Sequence, residues 1–319
     1  MVRVLSAADV QRSLSMSRAI AVMREAFQDH ARGLAPPPMR LDHYADDGEF
    51  HIKTGAFRRY FAVKANSGFF ANPPALPAIQ GGILLFDQLD GQLLAVVHSP
   101  TVTALRTAAT SALAAQALAR PDSDRLTIIG TGVQAWMHAR AMREVLPLTR
   151  IQIYGRDQDK ARRLAARVQA ELGVHTTAID TPAEARDSDV VATCTAAGEP
   201  LLGPGDVTAG AFIAAVGADG PVKRELDTAL VASAAVITDV TAQCLTAGEL
   251  HHAVAAGLMT EAHVRGELGA ILLSPERGRR SPGEVVLFDS TGTGFQDAAA
   301  AAAVYQDSAD PADRLVTAD

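Results

Sequence analysis

Apolar positions recur every three or four residues through Ile20, Met23 and Phe27, with His30 on the same face. Ser15 or Ser17 precedes this run and Gly33 follows it, so the spacing predicts a capped helix. A shorter helix is predicted from Ser6-Ala-Ala-Asp9, where serine accepts from the first free amides and aspartate suits the positive end. Pro36-Pro-Pro38 stops the helical period. From 40 to 98 short apolar runs take over: Phe61-Ala-Val-Lys64, Gly82–Phe86 and Leu93–Val97 read as strands. Asp87-Gln-Leu-Asp-Gly91 supplies a hairpin turn between the last two. An Ala/Leu-rich helix follows from Thr101 to Arg120, ended by Pro121-Asp-Ser-Asp124.

The texture then changes. Leu126–Ile129, Ile151–Tyr154, Val190–Thr193, Phe212–Val216 and Ala235–Thr238 are short apolar runs separated by helical or polar stretches. One of these, Asp157 to Gly173, is a helix with its own terminal glycine. Strands alternating with helices predict a parallel sheet covered on both faces. The last helix is Ala-rich, Phe295 to Tyr305.

The chain has 319 residues, enough for about two domains. With 48% hydrophobic and 20% charged residues it can bury a sizeable core. Its formal charge of −7 would repel phosphate backbones, and 5% aromatics is poor for base stacking, so no nucleic-acid partner is expected. No apolar run approaches the ~20 residues of a membrane span. Met1 to Asp9 lacks an apolar leader core, and the two cysteines, Cys194 and Cys244, are far apart; a reduced, cytoplasmic protein is expected. The nine histidines show no metal-ligand spacing, and His251-His252 is assigned to a polar helix surface, so no metal is expected.

Ile128-Ile-Gly130-Thr-Gly132-Val133-Gln134-Ala135 joins a strand to a helix. Gly130 permits a tight turn, and Gly132 lets the backbone meet a pyrophosphate at the helix N-terminus. This predicts a dinucleotide site, against the plainer reading of a glycine turn in an empty sheet. The next strand ends Tyr154-Gly155-Arg156-Asp157. An NAD site places an acid at that strand end for the ribose hydroxyl, and here Gly155 and Arg156 stand instead. NADP(H) is therefore favoured, with NAD(H) open should Asp157 turn inward.

Three cations stand in apolar or unusual settings: Lys64 within a strand, Arg106 within a helix and Arg40 just after the proline run. Each needs an anion or solvent. Converging, they would clamp a substrate carboxylate; singly, each would pair with a local Asp or Glu. Asp219, past the strand ending at Val216, is either a proton-exchanging group for a substrate nitrogen or a turn residue. Thr195 is a cofactor contact or a loop hydroxyl. Lys223-Arg-Glu-Leu-Asp227 reads as a solvated helix start from which Lys223 can reach the cofactor. Cys194 reads as a small buried hydrophobe.

Thr103–Ser111, Ile129–Ala135, Val216–Asp227, Asp289-Ser-Thr-Gly292 and Gln296-Asp297 together resemble the ornithine cyclodeaminase/μ-crystallin family over nearly the whole chain. The resemblance implies a Rossmann-type, doubly wound parallel sheet (residues 119–292) inserted into a second α+β substrate and dimerisation domain (residues 1–118 with 293–319), and a homodimer. It implies that Arg40, Lys64 and Arg106 face the substrate carboxylate and that Asp219 acts at the nitrogen. Val133, Gln134, Thr195 and Lys223 match cofactor-contacting positions, with Ser290 or Thr291 near the nicotinamide. The function implied is an NAD(P)H-dependent imine reductase or amino-acid dehydrogenase, converting a small imino acid, cyclic or derived from a 2-oxo acid, to an L-amino acid. Cyclodeamination of ornithine or lysine with bound NAD is the enzymatic alternative, and a non-catalytic nucleotide-binding protein is the alternative of another class. Two departures weigh against the cyclodeaminase: Gly155 replaces an acid, and the small-domain glutamate expected near His51 is matched only loosely by Glu49.

Overall fold

A computed structural model describes residues 2–308 and the backbone of Leu315 and Val316. Two compact units emerge. One takes the chain up to Arg106 and again from Thr293; the other is Thr107–Gly292.

The first unit begins with β1 (Val2–Leu5), α1 (Ala7–Ser13), α2 (Met16–Ala31), β2 (Met39–Ala45), β3 (Gly48–Phe57), β4 (Tyr60–Gly68), β5 (Ile79–Asp87) and β6 (Leu93–His98), and α3 (Ser99–Leu118) leads out of it. The second holds β7 (Arg125–Ile129), α4 (Val133–Val145), β8 (Arg150–Tyr154), α5 (Gln158–Leu172), β9 (His175–Ile179), β10 (Val190–Thr193), β11 (Phe212–Ala215), α6 (Thr228–Ser233), β12 (Ala235–Thr238), α7 (Thr241–Cys244), α8 (Glu249–Ala255), β13 (Gly266–Glu267), α9 (Leu268–Leu273) and β14 (Val286–Asp289). The chain returns to the first unit as α10 (Gly294–Asp307) and β15 (Leu315–Val316).

The expected caps form. Ser6 and Asp9 make a reciprocal capping box on α1, and Ser15 accepts from the Arg18 amide at the start of α2. The first seam falls between Arg106 and Thr107, inside α3, earlier than the 118/119 expected from sequence. The later turns of α3 are tied to α4. His138 Nδ1 donates to the Gln134 carbonyl (2.8 Å), which leaves Nε2 to accept from Ser111 Oγ (2.9 Å).

The sheet of the first unit runs β15-β1-β6-β5-β4-β3-β2, antiparallel except where β1 lies parallel to β6. Its strands alternate faces. One face of β3 carries buried Glu49, His51 and Lys53, while Phe50 and Ile52 face outward. α10 lies hard against the inner face. A Cβ on Gly55 would stand 2.2 Å from the Phe295 nitrogen, and one on Gly294 would stand 2.1 Å from the Thr54 carbonyl oxygen. Two glycines thus let a helix N-terminus touch a strand backbone. Phe295 is wedged edge-on against Phe27 of α2 (5.1 Å between ring centres).

The second unit is a wholly parallel sheet, β13-β12-β14-β11-β10-β7-β8-β9. This is the doubly wound Rossmann arrangement. The chain runs from β7 out to β9 on one side, then returns to β10 and builds the other. The order reverses between β7 and β10, the place where such sheets bind ligands beyond their carboxyl ends.

Candidate active site

β7 ends at Ile129 and the chain turns at Gly130 with φ +137°. A Cβ here would lie 2.9 Å from Cys194 Sγ and 3.1 Å from the Cys194 carbonyl oxygen, so the ends of β7 and β10 close up only around glycine. α4 then starts with Gly132 as its N-cap, without a side-chain acceptor for the first amides. A Cβ at Gly132 would meet nothing within 4 Å, and Val133 is exposed. A full-length helix therefore presents uncapped amides and its positive end to open space. That donor set fits a dinucleotide pyrophosphate.

At the end of β8 a Cβ on Gly155 would fall 2.3 Å from Thr131 Cγ2, so a ribose-binding acid has no room there while Thr131 keeps its rotamer. The next acid, Asp157, caps α5 by accepting from the Lys160 amide (3.0 Å). Arg156 between them is exposed.

Beyond β10 and β11 the ordering group is one that sequence reasoning passed over. Glu225 is fully buried, and its carboxylate accepts from the amides of Thr195 (2.6 Å) and Gly217 (2.9 Å). The run 223–227 is thus not a solvated helix start. Leu226 is as buried as Glu225, and only Asp227 caps a helix, α6. Asp219 and Lys223, assigned separately from sequence, meet in this loop (Oδ1 to Nζ, 2.8 Å). The Thr195 hydroxyl accepts from the Ala197 amide (3.2 Å). Ser290 turns its hydroxyl inward, donating to Asp239 Oδ2 (3.0 Å). His251 and His252 are half-buried rather than surface groups; the His252 ring donates to the Lys223 carbonyl (2.8 Å). Burial pushes the thiols of half-buried Cys194 and wholly buried Cys244 well up, which disfavours the thiolate at both.

In the first unit, Lys64 and Arg106 converge on Asp297 of α10. Lys64 Nζ stands 2.7 Å from Oδ2, and Arg106 Nε donates to Oδ1 at 3.1 Å. Arg106 NH1 also donates to Gln296 Oε1 (2.8 Å). Lys53 pairs across the sheet with both Arg40 and Lys64, so three cations form a row over β2, β3 and β4. Lys53, Lys64, Arg106 and Asp297 are all at most 4% exposed. Burial alone would push the Asp297 carboxyl up; Lys64, then Arg106, then Lys53 outweigh it and hold the group below its ordinary range. Lys64 and Arg106 thus share one buried carboxylate, and Lys53 adds its charge from the neighbouring strand. Arg40 stands at the outer end of the row, with Nε donating to both oxygens of Asp42 (2.9 and 2.8 Å). His51 Nδ1 lies 2.6 Å from Asp42, and its Nε2 lies 3.3 Å from Glu49.

Sequence reasoning missed Lys53, Asp42 and the roles of Asp297 and Glu225. The signal for Lys53 was the alternation Glu49-Phe-His-Ile-Lys53, and for Asp297 an acid inside an otherwise apolar helix.

Comparison with known proteins agrees with this architecture. The profile of the ornithine cyclodeaminase/mu-crystallin family matches residues 2–311. An iminosuccinate reductase from Paracoccus denitrificans is 39% identical over 227 residues, covering 71% of this chain and 70% of its own. An archaeal alanine dehydrogenase dimer with bound NAD superposes with a TM-score of 0.92 at 29% identity, covering 96% of this chain and 95% of its own. The Thermococcus litoralis Δ1-pyrroline-2-carboxylate reductase, solved with NADH and L-proline, gives 0.92 at 29% identity and covers 96% and 97%.

Proposed function

The chain belongs to the ornithine cyclodeaminase/μ-crystallin family, and from that premise we propose that it is an NAD(P)H-dependent imine reductase, or amino-acid dehydrogenase, acting on a small imino acid. The observation that carries the reading is the convergence of buried Lys64 and Arg106 on Asp297, with Lys53 beside them in the sheet. Cations brought together and oriented in this way match the geometry of a substrate carboxylate. Lys64 and Arg106, already aimed by Asp297, hold that carboxylate with Arg40. Asp219 binds the substrate nitrogen and exchanges its proton, while Lys223 sets the orientation of Asp219.

The uncapped start of α4, with Gly130, Gly132, Val133 and Gln134, holds the pyrophosphate, and Thr195 and Ser290 stand at the nicotinamide end. The cofactor, when bound, supplies the hydride. Exposed Arg156 and the engagement of Asp157 in a helix cap favour NADP(H) over NAD(H). The first unit is the substrate and dimerisation domain and the second the dinucleotide domain. The outward sheet face, with Leu41, Ile52, Val63 and Leu84 on adjoining strands, supports a homodimer, as does the dimeric archaeal relative. Two free cysteines support a reducing, cytoplasmic setting.

A panel of pyruvate, glyoxylate and oxaloacetate with ammonia or methylamine, and of cyclic imino acids, tests this with NADH and NADPH. Stoichiometric oxidation of one cofactor by an imino acid is expected. Cofactor binding without turnover across the panel would leave only a nucleotide-binding protein.

One observation favours the cyclodeaminase as a second reading. Glu49, buried beside His51, shares the inner face with Lys53 and would suit a side-chain amine. Release of ammonia from ornithine or lysine, with no net change in the nicotinamide, distinguishes it.

A further inference from the structure

Thr193 and Ala215 are register partners at the ends of the parallel strands β10 and β11. Thr195 and Gly217 lie two residues beyond this pair, so they occupy matching places on neighbouring strands. Their amides point to one carboxylate: Glu225 Oε1 takes Thr195 and Oε2 takes Gly217. The two oxygens of a carboxylate can bridge the ~4.8 Å between adjacent strands, which an alcohol or a single carbonyl cannot.

Glu225 is itself held at both backbone groups. Its carbonyl accepts from the Leu201 amide (2.7 Å), and its amide donates to Glu249 Oε1 (2.7 Å). Glu249 also takes the Leu226 amide (3.2 Å), and its own amide and that of Leu250 donate to Asp289 (3.2 and 2.9 Å). Three wholly buried carboxylates thus run in series under the carboxyl ends of β10, β11 and β14, each cupping two backbone amides. Gly217 completes the fit: a Cβ there would stand 2.2 Å from the Thr195 carbonyl oxygen and 2.5 Å from Glu225 Oε2. The Asp219 amide in turn donates to the Gly217 carbonyl (3.0 Å), so the position of Asp219 hangs from the clamped residue.

We infer that Glu225 is a positioning residue, whose carboxylate fixes the Thr195 loop against the cofactor and the Asp219 loop against the substrate nitrogen by clamping the ends of β10 and β11 together. The inference rests on the roles proposed above for Thr195 and Asp219. It requires no contact between Glu225 and either ligand.

Glu225→Gln is the test, because glutamine keeps the shape but offers one acceptor where two amides need one each. Expected are amide hydrogen exchange accelerated about tenfold or more within residues 193–219, NADH and NADPH dissociation constants raised about tenfold, and a fall in kcat beyond the rise in KM. Glu225→Asp, which keeps the charge but is too short to reach both amides, should fold and show a smaller change of the same kind. It serves where the glutamine variant does not accumulate. Wild-type exchange and wild-type cofactor affinity in either folded variant would overturn the inference. A wild-type protein that binds neither NADH nor NADPH would instead sink the proposed function, while the exchange measurement still judges the clamp.

Discussion

Asp219 and Lys223 form an ion pair four residues apart within a single loop, and only about a third of the Asp219 side chain is exposed. Asparagine at 219 keeps the shape but can no longer take up a proton. Asp219→Asn should lower kcat by ~100-fold or more with cofactor affinity nearly intact, as measured by steady-state kinetics and fluorescence titration; near-normal turnover would remove its role. Arg156→Ala should weaken NADPH more than NADH, and equal losses would remove the argument for a 2′-phosphate. The sequence exposed these residues because each is chemically odd for its place: a charge in an apolar run, or an arginine where an acid is usual. It hid their partners. Asp297 stands 191 positions from Arg106, and no local pattern ties the two. Glu225 lay in a run so rich in charge that solvent was the simpler reading, yet backbone amides from two strand ends account for its burial.

Elements were legible where their periodicity was strong. The helices with serine caps, and the central strands β7, β8, β10, β11 and β12, follow directly from apolar spacing. β9 escaped notice because an edge strand buries only alternate residues, and His175-Thr-Thr looks like a loop. β14 is a four-residue run behind a Pro- and Gly-containing stretch, too short to declare itself. The union of α3 with α4 was equally silent, since it depends on a histidine inside the second unit. His138 is wholly enclosed, and burial pushes its imidazole down to about 4, with the Gln134 carbonyl opposing. Between that value and the ordinary ~6.5 the unfolded chain binds a proton that the folded chain refuses. Stability from this site is therefore complete above ~6.5 and is lost as pH falls toward 4. Urea titrations at about pH 7 and about pH 5 should show wild type losing about 2 kcal/mol more than His138→Gln. Equal losses would mean that the ring is protonated in place.

At the scale of the whole molecule, the first unit has, among the described residues, an exposed apolar sheet face. Leu41 is 64% exposed, and Ile52 lies beside it in register. Contiguous apolar surface of this kind marks an association site. Leu41→Glu with Ile52→Glu should halve the mass seen by light scattering, while leaving the fold intact by circular dichroism. An unchanged dimer would place the interface elsewhere, and a wild-type monomer would withdraw the homodimer.

Thr107–Gly292 is a single unbroken stretch, whereas the other unit is made from the segments on either side of it. A sheet drawn from one run closes on its own residues, whereas Lys64 and Arg106 meet Asp297 only across the whole inserted unit, 191 positions separating Arg106 from Asp297. α10 therefore closes, from beyond the inserted unit, a sheet whose strands β1 to β6 all precede it.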